Sequence, residues 1–297
     1  MDFVKNNDKE HNTMESAAHH TEPHIPQVPA LWELSVVIAA TVVFVILVSV
    51  VFFLFSLKYS VKTEFLLAEG LLIIPAVIYV IIKKYSLREI FRFNRVNGRE
   101  MRFAVVVGIS LILIINYVEN LLRLIPFPEE FTKQKQLFEQ GLLDTLIITN
   151  IYDFIIITAA VVVIAAAAEE MLFRGFIQRT FEHKLPLFWA ITITALLFTF
   201  LHPFSVIPIL PLAVILGIIS WRSRSIIPSI IIHGINNGLS LYALNTNPEL
   251  QADPSKGVEV SLPVVIISIV IFVVSFRYYF IMSGQSEEVE DAVFKDE

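Results

Sequence analysis

The chain has 297 residues and no cysteine. Disulfides, thiolate metal sites and cysteine nucleophiles are therefore excluded. Charge is scarce as well. Asp, Glu, Lys and Arg make up 17% of the residues, against 56% hydrophobic residues and a mean hydropathy of +0.71. A soluble domain of this length needs more polar surface than that. No basic surface suited to nucleic acid stands out, so no nucleic-acid partner is expected. Much of the acid behind the net charge of −6 sits in the two tails.

Three motifs of membrane-embedded hydrolases are also missing. There is no Gly-x-Ser-Gly nucleophile, no Gly-x-Gly-Asp and no His-Glu-x-x-His. Their absence argues against a serine rhomboid site and a two-aspartate site, and a zincin helix is absent.

What is present is a series of apolar runs long enough to cross a bilayer, which takes about 20 residues of helix. Eight can be drawn: Val36–Leu57, Phe65–Ile82, Phe103–Leu122, Leu146–Ala168 running on toward Thr180, Pro186–Leu201, Val206–Ser220, Ile226–Leu244 and Leu262–Met282. Lipid offers no partner to an open backbone, so all should be helices. The expected fold class is all-α, a polytopic transmembrane bundle of about eight spans. The loop from Lys83 to Arg102 holds seven Lys and Arg residues (Lys83, Lys84, Arg88, Arg92, Arg95, Arg99 and Arg102) and should be cytoplasmic. Counting outward from it puts both termini inside a cell membrane crossed several times, and the Asn245–Ser261 loop outside. Trp32, Trp189 and Trp221 then fall near the cytoplasmic interface, where tryptophan is favoured.

The expected organisation has four parts. Residues 1–30 form a polar, disordered cytoplasmic tail. It carries four of the seven histidines, His11, His19, His20 and His24, whose irregular spacing disfavours a metal site. Residues 31–145 hold the first spans and the basic loop, 146–245 a catalytic core, and 246–297 an outer loop, the last span and an acidic tail. Pro126 to Gly141 reads equally as an amphipathic segment on the outer surface or as a plain loop.

Ionisable residues inside spans are costly and suggest function by default. Glu69, Glu119 and Asp153 lie toward span ends and take a structural reading. The others form three clusters: Glu169-Glu170-Met171-Leu172-Phe173-Arg174, Phe198-Thr199-Phe200-Leu201-His202, and His233-Gly234-Ile235-Asn236-Asn237. Glu170 and Arg174 share a helix face and can pair. Glu169 points about 100° away from Glu170, without a local partner. Measured from the cytoplasmic boundary, Glu169 and His233 lie at similar depth, about 15 Å, and His202 deeper.

Peptide hydrolysis needs an activated water, a base and donors for the oxyanion. Glu169 suits the base. His202 and His233 suit either metal ligands, with Glu169 as the third, or hydrogen-bond donors; Zn²⁺ is the natural candidate for the metal. Asn237 can face the oxyanion. The Glu170–Arg174 pair reads as a brace, or Arg174 as a binder of a substrate carboxylate.

At these residues the chain resembles the CPBP (Abi) family, which groups CAAX prenyl endopeptidases with bacteriocin-processing and bacteriocin-immunity membrane proteins. The family pattern is Glu-Glu-x-x-x-Arg, Phe-x-x-x-His and His-x-x-x-Asn, each in its own helix. The resemblance implies a glutamate-dependent intramembrane metalloprotease acting on a peptide or protein at the bilayer. It also implies a cavity open to the cytoplasm, with Glu169 activating water beside His202, His233 and Asn237. The alternative is a noncatalytic immunity or scaffold protein that binds a peptide or partner. A transporter or proton relay is less favoured, because no internal repeat is visible.

Overall fold

The computed structural model describes residues 28–55, 61–253 and 256–293. The expected polar tail lies outside the described residues except at 28–30. Among the described residues the secondary structure is all helical. The elements are α1 (Leu31–Phe55), α2 (Val61–Leu71), α3 (Ile74–Ile82), α4 (Leu87–Ile90), α5 (Gly98–Leu122), α6 (Glu129–Leu146), α7 (Ile151–Glu182), α8 (Leu187–Phe200), α9 (Val206–Arg222), α10 (Ile227–Thr246), α11 (Pro248–Ala252) and α12 (Leu262–Val293). Four stretches are long and apolar enough to cross a membrane: Leu31–Val51, Gly98–Leu122, Ile151–Glu182 and Leu262–Ser283. Leu67–Ile82, Leu187–Phe200 and Val206–Arg222 are shorter apolar stretches.

Two features refine the expected segments. The second apolar run is broken at Leu72–Ile73 into α2 and α3. Pro75, in the first turn of α3, lacks the N–H that would continue the ladder, and Gly70 just before the break weakens the helix further. Between Pro126 and Gly141 there is a helix rather than a loop, and α6 continues to Leu146. Its aromatic side packs on the turn after α8, with Phe131 5.8 Å and Phe138 5.2 Å from Phe204, ring to ring.

α7 begins at Asn150, whose side chain accepts from the Asp153 N–H, a standard helix start. It is not a uniform α-helix. Residues Thr158–Ala165 and Met171–Gln178 are π-helical, and the five α-helical residues between them include Glu169 and Glu170. π-helical turns are uncommon and concentrate at functional sites. α10 packs closely on the first π segment. A Cβ at Gly234 would lie 2.8 Å from the Val162 carbonyl oxygen, so only glycine allows this approach.

Two apolar clusters hold the bundle together. One joins α1, α3, α4, α7 and α8 through Phe91, Phe173, Phe176 and Phe198. The other joins α5, α9, α10 and α12 through Val107, Leu216, Ile219, Ile232 and Tyr279. The remaining surface is strongly apolar: α1 and α12 expose Ile46, Leu47, Leu54, Ile267, Val270 and Val273. Such a surface suits lipid rather than water.

Candidate active site

The three sequence clusters come from α7, from the turn that ends α8 and from α10. Glu170 is fully buried, and one of its oxygens serves two partners. Oε1 accepts from Arg174 Nη1 at 2.7 Å and lies 2.9 Å from His233 Nδ1. Arg174 is 1% exposed and donates its Nη2 to the Ala213 carbonyl of α9 at 3.2 Å. Its guanidinium carbon stands 4.6 Å from the centre of the Phe198 ring. Arg174 is thus enclosed and cannot meet a substrate carboxylate, contrary to the second role the sequence offered it. The brace reading describes its surroundings.

The contact with Glu170 sets the tilt of the His233 ring. With Nδ1 turned toward Glu170, Nε2 faces Glu169 Oε2 at 3.8 Å. That gap exceeds a direct hydrogen bond and is one at which a shared water can serve both groups. Glu169 Oε2 is buried and has no hydrogen-bond partner in the protein. The two adjacent glutamates thus approach the two nitrogens of one imidazole. Phe198 packs against this network, its ring 5.9 Å from His233 and 4.9 Å from His202.

Glu169, His202 and Asn237 also line one cavity of about 400 Å³, together with Glu69, Glu119 and Arg123. His202 lies just beyond the end of α8, with Nδ1 3.0 Å from the Phe198 carbonyl, so Nε2 is the nitrogen left for other partners. Asn237 donates to the Val161 carbonyl at 3.0 Å and accepts from Asn236, which leaves a single amide N–H for an oxyanion. The sequence reading missed Glu69. Its place toward a span end suggests a structural role, yet the break after Leu71 and the packing of α2 on α7 bring it to the cavity wall. Gly70 and Pro75 were the available signal.

Among the described residues no three His, Asp or Glu side chains stand close enough together to hold a metal ion. Glu169 and His233 form a pair, and His202 does not join them as a third ligand. The set expected from the sequence is therefore not assembled in this arrangement.

The cavity also opens at an unexpected end. α5 starts at the basic loop, and the cavity is lined by its far end, Glu119 and Arg123, with Leu146, Leu244 and Val258 from neighbouring segments. Toward the basic loop the path is closed. Arg174, Gln178 and Thr180 are at most 1% exposed, Gln178 donates to the Gly217 carbonyl at 2.9 Å, and Glu182 pairs with Arg92. Access to the cavity from the basic-loop end is thus obstructed in this structure.

All six motif residues fall in one stretch, and that stretch can be compared with known families. Residues 151–239 match the model of the Rce1-like type II CAAX prenyl endopeptidase family. The match is consistent with a member of the CPBP/CAAX protease family. The Rce1-like stretch runs from the start of α7 into α10 and carries Glu169, Glu170, Arg174, His202, His233 and Asn237. The first five helices, α6, α11 and α12 lie outside it. Nothing matches significantly among curated proteins or among solved structures.

Proposed function

We propose that the chain is an intramembrane endopeptidase that hydrolyses peptide bonds with a water activated by Glu169. One observation carries the reading: His233, anchored by Glu170, faces the unpartnered oxygen of Glu169 across 3.8 Å beside a cavity. The match to a protease family over the same helices supports it.

Glu169 takes the proton of a water held between its Oε2 and His233 Nε2. The water oxygen attacks the substrate carbonyl carbon, and the developing oxyanion accepts hydrogen bonds from protonated His233 and from the free N–H of Asn237. Glu169 then returns the proton to the departing amine as the C–N bond breaks, leaving a new carboxyl terminus and a new amino terminus. A base in a low-dielectric site and preoriented donors are what this reaction needs. Glu170 and Arg174 stay outside the reaction and hold His233 in place. A divalent metal, if one binds, would need His202 to swing toward Glu169 and His233, and no step above depends on it. We assign the chain to a cell membrane with both termini cytoplasmic, on the basic loop at residues 83–102.

The test uses purified protein in lipid vesicles with peptide substrates. Glu169→Ala should abolish cleavage and leave the protein folded. Wild-type cleavage rates in that variant would end the assignment and favour a noncatalytic binding role. A chelator arm decides whether a metal takes part.

A further inference from the structure

Arg123 is the one Lys or Arg side chain lining the cavity among the described residues, and three carboxylates, Glu69, Glu119 and Glu169, line it as well. It stands at the end of α5, and a second cavity of about 620 Å³ between α6 and the turn after α8 shares it and Glu119. Only part of its hydrogen-bonding capacity is used. Nη2 donates to Glu119 Oε1 at 2.9 Å, whereas Nε and Nη1 are buried and have no hydrogen-bond partner. The opposite wall makes room for the guanidinium: at Gly257, with φ +68°, a Cβ would lie 2.6 Å from Arg123 Cζ. Buried guanidinium donors without protein partners are costly. Each of these N–H groups can give a carboxylate oxygen a charge-assisted hydrogen bond.

We infer that Arg123 binds a carboxylate of the peptide substrate and so determines which peptides the cavity accepts. The inference rests on the proposed peptidase reading for the identity of the ligand. A peptide acid entering this cavity meets repulsion from three glutamates unless its own carboxylate docks on Arg123. A cavity of this size takes a short peptide end or loop rather than a folded domain. The carboxylate is either the chain terminus or an Asp or Glu side chain. Arg123 acts in binding, away from the reacting bond.

The experiment reads binding separately from cleavage. Labelled apolar peptide pools are prepared as free acids, as C-terminal amides, and as amides carrying one internal Asp or Glu. They are titrated onto the full-length Glu169→Ala protein in vesicles, and cleavage is followed in parallel on the Glu169 protein. Peptides with a carboxylate should bind roughly tenfold to a hundredfold more tightly than neutral amides, the range for a charge-assisted hydrogen bond. Arg123→Gln should remove that preference and raise KM for the carboxylate-bearing peptides. Glu119→Gln, which frees Arg123 from its partner, should retain or sharpen the preference. A purely structural ion pair would make the two variants behave alike. Should Arg123→Gln fail to fold, the Glu119→Gln/Arg123→Gln double variant leaves no unpaired charge and should also lose the preference. The free-acid and internal-acid pools identify the source of the carboxylate. Equal binding of acids and amides, or binding of neither pool, overturns the inference. Absence of cleavage with the binding preference intact would instead count against the peptidase reading alone.

Discussion

Glu170 is the residue on which the site's order depends, because a single oxygen ties α7 to α10 through His233 while Arg174 extends the tie to α9. Removing one member of a buried charged network costs about 3–5 kcal/mol, largely through the charge left behind. Glu170→Ala should therefore lower the thermal midpoint sharply and abolish cleavage together. Replacing both partners, as Glu170→Leu/Arg174→Met, should recover much of the stability without recovering activity, because His233 still lacks its anchor. Thermal unfolding followed beside a cleavage assay separates the two effects. Recovery of activity in the double variant would show that the anchor is dispensable. At this scale much was legible in the sequence: spacing alone paired Glu170 with Arg174 and left Glu169 facing elsewhere. The bond from Glu170 to His233 joins residues 63 apart in sequence, and no local pattern encodes a contact of that range. Nor did the sequence reveal that Arg174 would be enclosed under Phe198.

The helices set how closely these residues approach. α10 meets the first π segment of α7 at Gly234, and a methyl there would collide with the Val162 carbonyl. Overpacking of this kind typically costs about 1–3 kcal/mol. Gly234→Ala should thus displace His233 from Glu169 and reduce cleavage strongly, with a moderate loss of stability. Gly238→Ala, where the nearest atoms lie 3.7 Å from the added methyl, should be tolerated. Equal behaviour of the two variants would contradict the close-approach account. The positions of the apolar helices were readable from run length and hydropathy. The π-helical turns flanking Glu169 and the break between α2 and α3 were not, because both depend on packing; only the break carries a local mark, in Gly70 and Pro75. α6 was half legible: its Phe residues had no visible partner until Phe204 was placed beside them.

In the whole molecule, the charge asymmetry and the cavity give opposite indications about access. The basic loop marks one end of the bundle, and the cavity that reaches Glu169 opens toward the other. With the loop cytoplasmic, as proposed, a substrate would have to arrive from the outer side. The absence of cysteine makes this simple to test. In intact cells an impermeant thiol reagent should label Val258→Cys at the cavity rim and spare Arg95→Cys in the basic loop, and the opposite pattern would invert the orientation. The all-helical class and the cluster of motif residues on three helices were accessible from sequence. The direction of the opening was not, since it depends on which end of α7 is sealed by Gln178, Arg174 and the Glu182–Arg92 pair. The claim on which the rest depends, that Glu169 activates a water rather than attacking the substrate itself, is tested most directly by single-turnover cleavage in heavy-oxygen water. The account predicts the heavy isotope in the newly formed substrate carboxyl group and none in Glu169. Isotope recovered in the Glu169 side chain, or cleavage that persists in Glu169→Ala, would contradict it.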